Sequence, residues 1–212
     1  MSWDNVLNTT EQIAQASLQT ISLFSLTLIF SLPLGLLMAF CRMSRIRPLS
    51  LLMRGYLLIM RGTPLMLQLI FFMYGLNLPF SRFQVAVVAF SLNYAAYFAE
   101  IYRSGIEGVP VGQSEAANVL GFSKGQTFFR IILPQVIKKI LPPMGNEFMT
   151  LVKDTSLAQI IGVAEISLIG YQLQQTFVSM IPIVIAGVFY LLMNSVVSRG
   201  FSMAEKRLGY YR

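Results

Sequence analysis

The chain has 212 residues, of which 55% are hydrophobic and only 12% charged, with a mean hydropathy of +0.65. A soluble domain carries about 25% charged residues, so water is the wrong solvent for much of this surface and an all-α membrane protein is expected. The net charge of +7 does not point to nucleic acid, because the basic residues sit between apolar spans and form no single face. There is no histidine, hence no ordinary pH switch and no Ser–His or Cys–His pair. The lone Cys41 allows neither an internal disulfide nor a cysteine metal cluster.

Met1 to Thr20 carries Asp4 and Glu11 but no Lys or Arg; Val6, Leu7, Ile13 and Leu18 suit a shallow amphipathic helix at the membrane surface. No basic n-region precedes the first apolar run and no convincing cleavage site follows it, so this run is expected to remain as an anchor. From Gln12 to Cys41 there is no charge, and about 20 apolar residues cross the hydrocarbon. Span 1 is therefore placed at Ser17–Cys41, bent by Pro33 and Gly35. Arg42, Arg45, Arg47, Arg54 and Arg61 follow, and the apolar stretch Leu49–Met60 between them either starts span 2 or lies along the interface. The centre of span 2 is placed in Gly62–Ser81, and Pro79, Ser81 and Arg82 connect it to span 3 at Phe83–Ala99. Span 4 is irregular: Lys138 and Lys139 precede it, Pro142 and Pro143 interrupt it, and Glu147, Lys153, Asp154 and Glu165 punctuate it. Interrupted helices belong where backbone lines a cavity. Span 5 is placed near Thr176–Val197, and Arg199, Lys206, Arg207 and Arg212 close the chain.

Five basic residues follow span 1, five lie between Arg103 and Lys139, and four follow span 5, so 14 of the 16 lie on one side. The positive-inside rule makes that side cytoplasmic. The N-terminus is then outside, the C-terminus inside, and the number of spans odd. One membrane domain is expected at residues 17–205, with an extracytoplasmic segment at 1–16, a polar loop at about 105–134 on the inner side, and a cytoplasmic tail at 206–212.

That loop reads as two short helices with a bend. Small Ala116 and Ala117 permit close approach of a partner surface, Gly121 supplies the positive φ that ends a helix, and Ser123 with Gln126 forms a capping box. Pro134 is expected to disturb the ladder where the next apolar stretch begins. Glu115-Ala116-Ala117, with Gly121 four residues later and Ile132-Leu133-Pro134 beyond, resembles the EAA loop of ABC importer permeases. Arg61-Gly62-Thr63-Pro64 before it and Lys153-Asp154-Thr155-Ser156-Leu157 after it resemble the polar-amino-acid branch of that family. The resemblance extends over roughly residues 15–205.

It implies the five-helix core of type I importers in the cell membrane, with Glu115, Ala116, Ala117 and Gly121 in a coupling helix that docks on a cytoplasmic ATPase. It further implies two ATPase subunits, a second permease copy or homologue, an extracytoplasmic solute-binding protein and an amino-acid substrate. ATP and magnesium would belong to the ATPase. This chain has no phosphate-binding Gly-x-x-x-x-Gly-Lys-Ser/Thr loop, so no cofactor and no enzymatic activity are expected on it. A stand-alone ion-coupled transporter using Glu100 and Asp154, or a channel or scaffold subunit, would be the alternatives; the former usually carries inverted repeats, which are not evident here.

Two polar stripes are candidates for the substrate path. Asn93, Tyr97, Glu100, Ser104 and Glu107 recur on one helix face, and Glu147, Thr150 and Asp154 on another. Charges in a membrane are expensive and face a polar path or a partner. Carboxylates from two helices suit an ammonium or a cationic side chain, whereas pairing with Arg103 or Lys153 would neutralise them internally. Thr63, preceding Pro64, is biased away from helix, so a break is expected there.

Overall fold

The computed structural model describes residues 2–76 and 79–209. Met1, Asn77, Leu78 and residues 210–212 lie outside them, and with them part of the span 2 assignment and the basic residue Arg212. Among the described residues all regular structure is helical. α1 is Trp3–Met43, α2 Arg47–Gly62 and α3 Leu65–Ile70, the last continuing as a π turn over Phe71–Gly75. α4 is Arg82–Glu107 and α5 Val111–Val119; α6, Lys124–Thr127, passes through a π turn at Phe128–Ile132 into α7, Leu133–Asp154. A 3-10 segment, Thr155–Ile161, precedes α8, Ile166–Phe177, and α9 is Ile181–Leu208.

Three of these, α1, α4 and α9, are long and apolar enough to cross a bilayer alone. Two bent pairs accompany them: α2 meets α3 at 104°, and the run from α6 through the 3-10 segment meets α8 at 58°.

The N-terminal expectation needs correction. Among the described residues no separate interfacial helix precedes span 1. Ser2 caps a single helix of 41 residues, about 60 Å long at 1.5 Å per residue, and Ile13 is fully buried. Nothing in the polar N-terminal stretch breaks a helix, and Pro33 lies within the unbroken run. Span 5 also shifts. Thr176 and Phe177 close α8, Val178 is left-handed at φ 47, and the last helix starts only at Ile181. Pro142 and Pro143 do not interrupt span 4, since α7 runs through both, packed on α4 and α9. The helix changes instead after Asp154 and ends at Gly162. Pro134 sits in the first turn of α7, where a missing N–H is tolerated. The π turn just before it absorbs the disturbance, with Leu133 N–H reaching Phe128 O.

The frame is the α1–α4 pair, whose contact is the most extensive in the molecule. The buried stripe of α1 includes Thr27, Ser31, Gly35 and Ala39, and α4 answers with Ser91, Ala95, Ala96 and Ala99. Without a hydrophobic drive between helices in lipid, such small residues let backbones approach and gain dispersion energy. At Gly35 the approach is closest: an added Cβ would stand 2.9 Å from Ala95 O and 2.9 Å from Phe98 Cβ. Gly55, in α2, has nothing within 4 Å of an added Cβ.

The same substitution therefore has opposite outcomes at the two glycines. Gly35→Ala should destabilise by about 1–3 kcal/mol through overpacking, while Gly55→Ala should be neutral or stabilising by up to about 1 kcal/mol from helix propensity. Thermal unfolding of the detergent-solubilised protein reads both, and equal losses would exclude the tight crossing.

Candidate functional site

The site grows from the break after α2. Thr63 is extended at φ −117 and ψ 148, and Pro64 follows. Pro64 has no N–H to give the carbonyl of Met60, four residues back. That carbonyl accepts instead from Gln68 Nε2 at 3.0 Å and Asn93 Nδ2 at 2.9 Å. Asn93 also donates to Gln68 Oε1 at 2.9 Å, and Gln68 donates to Thr63 Oγ1 at 2.8 Å. Two buried amides thus take over the work of the missing helical bond. The Arg61 guanidinium next to the break lies 5.3 Å from the centre of the Tyr97 ring.

Beside the break opens a cavity of about 490 Å³, lined by Arg61, Asn93, Tyr97, Glu147, Thr150 and Asp154 among others. Asp154 closes α7 and accepts from Tyr94 Oη at 2.8 Å. Just beyond it, Thr155 Oγ1 donates to Val152 O at 2.7 Å and Ser156 Oγ to Lys153 O at 2.6 Å, bonds to the preceding turn where the helix tightens to 3-10. One guanidinium, two carboxylates and several hydroxyls then face a single space.

Five of the six residues expected on the substrate path meet there. Glu100 does not. Arg103 bonds both Glu100 and Glu107 along α4, so the internal pairing weighed from the sequence is what Glu100 adopts. It borders a second cavity, of about 470 Å³, together with Arg42, Arg54 and Arg61. Ser104 bonds the carbonyl of its own helix at Ile101 and joins neither cavity. Lys153 lines an open groove between α7 and α9, where Arg199 and Asn194 also lie, and does not line the cavity that holds Asp154. Tyr94 and Gln68 are participants that the stripe analysis missed: Tyr94 reads as one more aromatic of a packed face, and Gln68 as one isolated polar residue.

The loop folds as its residues require. α5 ends in a Schellman arrangement: Phe122 N–H reaches Ala117 O, Gly121 N–H reaches Asn118 O, and Gly121 has φ 79. The capping box is present, with Gln126 N to Ser123 Oγ at 3.3 Å and Ser123 N to Gln126 Oε1 at 2.9 Å. Ala117 is buried while Glu115 and Ala116 are exposed. The second helix is not a separate piece of a hairpin; it is the start of the run into α7. Sequence reading also passed over Val119 and Leu120, which are 88% and 74% exposed beside Gly121. Two adjacent apolar residues before a helix-ending glycine in a polar loop were the available signal.

A family model described as binding-protein-dependent transport system inner membrane component matches residues 31–210. The chain belongs to that family. It is a multi-pass inner-membrane component with the helical fold of type I ABC importer permeases. This permease is similar to the L-cystine transport system permease protein TcyB of Bacillus subtilis (strain 168), 46% identical over 150 residues that make up 69% of this chain and 64% of that one. It is similar also to the arginine transport system permease protein ArtQ of the same organism, 34% identical over 194 residues and 89% of each chain. A crystal structure of an amino acid ABC transporter with histidines superposes with a TM-score of 0.89 at 32% identity, covering 98% of this chain and 99% of that one. The inward-facing MetNI methionine ABC transporter, at TM-score 0.73 and 18% identity, shares the fold.

The break in the permease next to the cavity depends on the two amides. Asn93→Leu should cost about 1–3 kcal/mol, the desolvation of a partly orphaned carbonyl, and a melting temperature unchanged by it would show that Met60 finds another donor.

Proposed function

We propose that this chain is the permease subunit of an ATP-driven importer for a polar or charged amino acid. Membership of the family makes it the membrane subunit and not an enzyme; ATP hydrolysis belongs to a separate subunit. In this reading each bent pair is one crossing, which gives five spans with the N-terminus outside and the C-terminus in the cytoplasm. The membrane domain occupies residues 17–205, between an outer segment at 1–16 and a cytoplasmic tail at 206–212. Two permease copies, or one copy and a homologue, surround the path. Two ATPase subunits with their ATP and magnesium dock below, and a solute-binding protein delivers substrate above.

The observation that carries the reading is the charge pattern of the cavity beside the broken helix. It is lined by one guanidinium, Arg61, and two carboxylates, Glu147 and Asp154, groups of both the signs that the carboxylate and ammonium of a zwitterion require. The two relatives named above are permeases of cystine and arginine transport systems, whose substrates have that zwitterion in common. Tyr97 and Thr150 add a ring face and a hydroxyl. Lys153, Thr155 and Ser156 shape the end of α7, and Gly62, Thr63 and Pro64 the end of α2.

Docking falls to α5. Its exposed Glu115, Ala116, Val119 and Leu120 form a small patch held at a fixed angle by Gly121, and Ala117 seats the helix on the rest of the loop.

Asp154→Asn tests the cavity. Loss of one charge-assisted contact costs about 1.5–3 kcal/mol, so the apparent KM for uptake by the reconstituted transporter should rise roughly ten- to hundredfold; an unchanged KM would remove Asp154 from the path. Gly121→Val together with Leu120→Asp tests docking. Uptake should collapse while the ATPase still hydrolyses ATP, and normal uptake by this variant would rule out α5 as the coupling helix.

A further inference from the structure

The second cavity is not absorbed by the transport reading. It lies where α1 ends, bounded by Arg42 of α1, Arg54, Leu57, Leu58 and Arg61 of α2, and Glu100 of α4. Its charges do not balance. Arg103 already engages Glu100, and among the described residues no ion pair within 4 Å involves Arg42 or Arg54. Arg47, Arg54 and Arg61 follow one another at intervals of seven residues and so share a face of α2. Leu51 and Leu58 stand three or four residues from these arginines on that same face, Leu52 and Ile59 stand to one side of it, and all four are between 61% and 75% exposed. Such a helix sets guanidinium groups on flexible apolar stems among exposed leucines, which suits the boundary between headgroups and acyl chains.

The depth is consistent with that boundary. Arg42 follows directly on the uncharged run that ends at Cys41. Ser50 Oγ bonds the carbonyl of Arg42 at 2.8 Å, which ties the start of α2 to the end of α1. The space of about 470 Å³ opens outward beside leucines. Basic pockets between membrane helices at this level take anionic headgroups, and the excess guanidinium charge here asks for phosphate oxygens, which Arg binds in bidentate fashion.

We infer that the cavity between α1, α2 and α4 is a binding site for the phosphate of an anionic phospholipid headgroup, with Arg42 and Arg54 as the principal contacts and the exposed leucines of α2 along the acyl chains. Arg61 borders this cavity and the substrate cavity alike, so a bound headgroup shares one guanidinium with the transport path. The inference uses the transport reading only for this last link. Phosphate contact is the chemistry, and the lipid is its source.

The probe is phosphatidylglycerol, titrated against phosphatidylcholine on the purified full-length chain and followed by native mass spectrometry. Wild type should retain phosphatidylglycerol preferentially. Arg42→Gln with Arg54→Gln should weaken that retention on the order of tenfold or more, whereas Arg45→Gln with Arg207→Gln removes the same charge outside the cavity and should leave it intact. Equal loss in both doubles would mean diffuse surface attraction, and no preference in wild type would mean no site; each overturns the inference. Displacement of the lipid by millimolar inorganic phosphate would make this a free-phosphate site and overturn the lipid assignment. Should the double variant fail to insert, Arg54→Gln alone carries the test with the same expected direction. Uptake by the wild type assayed in parallel separates the two readings: a wild type without lipid preference but with normal amino-acid uptake counts against this site only, and a wild type with the preference but without uptake counts against the transport reading only.

Discussion

A backbone carbonyl at the end of α2 has no helical donor, because the residue four positions on is Pro64. In lipid such a group has no water to turn to, and leaving it bare costs several kcal/mol. Gln68 and Asn93 answer it from two different helices, and by doing so they fix how α2, α3 and α4 meet. The second break follows the same rule. Glu165 is fully buried, caps α8 by accepting from Ser167 N at 2.8 Å and Leu168 N at 2.9 Å, and accepts from Tyr190 Oη of α9 at 2.6 Å. A carboxylate placed on the exposed N–H groups of a helix start is stabilised by them and by the helix dipole. Both breaks are therefore closed by side chains that also join helices, and α3 packs directly on the 3-10 segment that carries the second one. The cavity lies at this junction because irregular backbone is tolerated only where the protein itself supplies the partners.

Around these breaks the molecule is regular. α1 and α4 run unbroken, joined along small residues, with Phe90, Tyr94 and Phe98 filling the space toward α3 and α7. The aromatic layer continues through Phe148 to Phe24 and Phe201, so α1, α7 and α9 are packed edge to face. The frame holds its shape by close packing, which is resistant to small deformation. The broken elements, whose bonds are side-chain bonds across short gaps, have the means to rearrange without unfolding a helix.

Much of this was legible in the residues, and for physical reasons. Charge-free runs, each bounded by an arginine at one end and a glutamate at the other, mark α1 and α4, since hydrocarbon excludes charge at a known length. The Thr63–Pro64 break, the left-handed Gly121 and the Ser123–Gln126 box follow from local stereochemistry and needed no tertiary information. What failed was what depends on partners. Pro142 and Pro143 read as an interruption, yet packing on α4 and α9 carries the helix through them. The polar N-terminal stretch read as a surface helix, because nothing local tells that Ile13 meets Ile166 and Leu173 of a distant segment. Glu100 shared a helix face with Asn93 and Tyr97, but a face seven residues long reaches two cavities, and Arg103 one turn away decided its partner. Periodicity groups residues by face; it does not say where along the face a neighbouring helix ends.

The position of the loop relative to the cavity has a mechanical consequence. From Lys124 to Asp154 the chain stays helical, through a single π turn, over 31 residues, which is about 46 Å at 1.5 Å per residue. The same rod thus begins at the capping box beside Gly121 and ends on the carboxylate that Tyr94 holds. A push on α5 has a contiguous packed path to the cavity, and it does not have to cross a flexible linker. The π turn at Phe128–Ile132 is where that rod is least regular, with one wide turn in place of a tight one. It sits at the cavity-distal end, next to the patch proposed for docking, so bending there would change the angle of entry of the loop and leave Glu147, Thr150 and Asp154 in one register. At the other end the tightening to 3-10 begins immediately after Asp154, and the α7–α8 bend follows. In the proposed coupling, motion passed along the rod would be released at the cavity, where the backbone is already broken and closed by side-chain bonds, and not in the α1–α4 frame, where Gly35 and Phe98 are already in close contact.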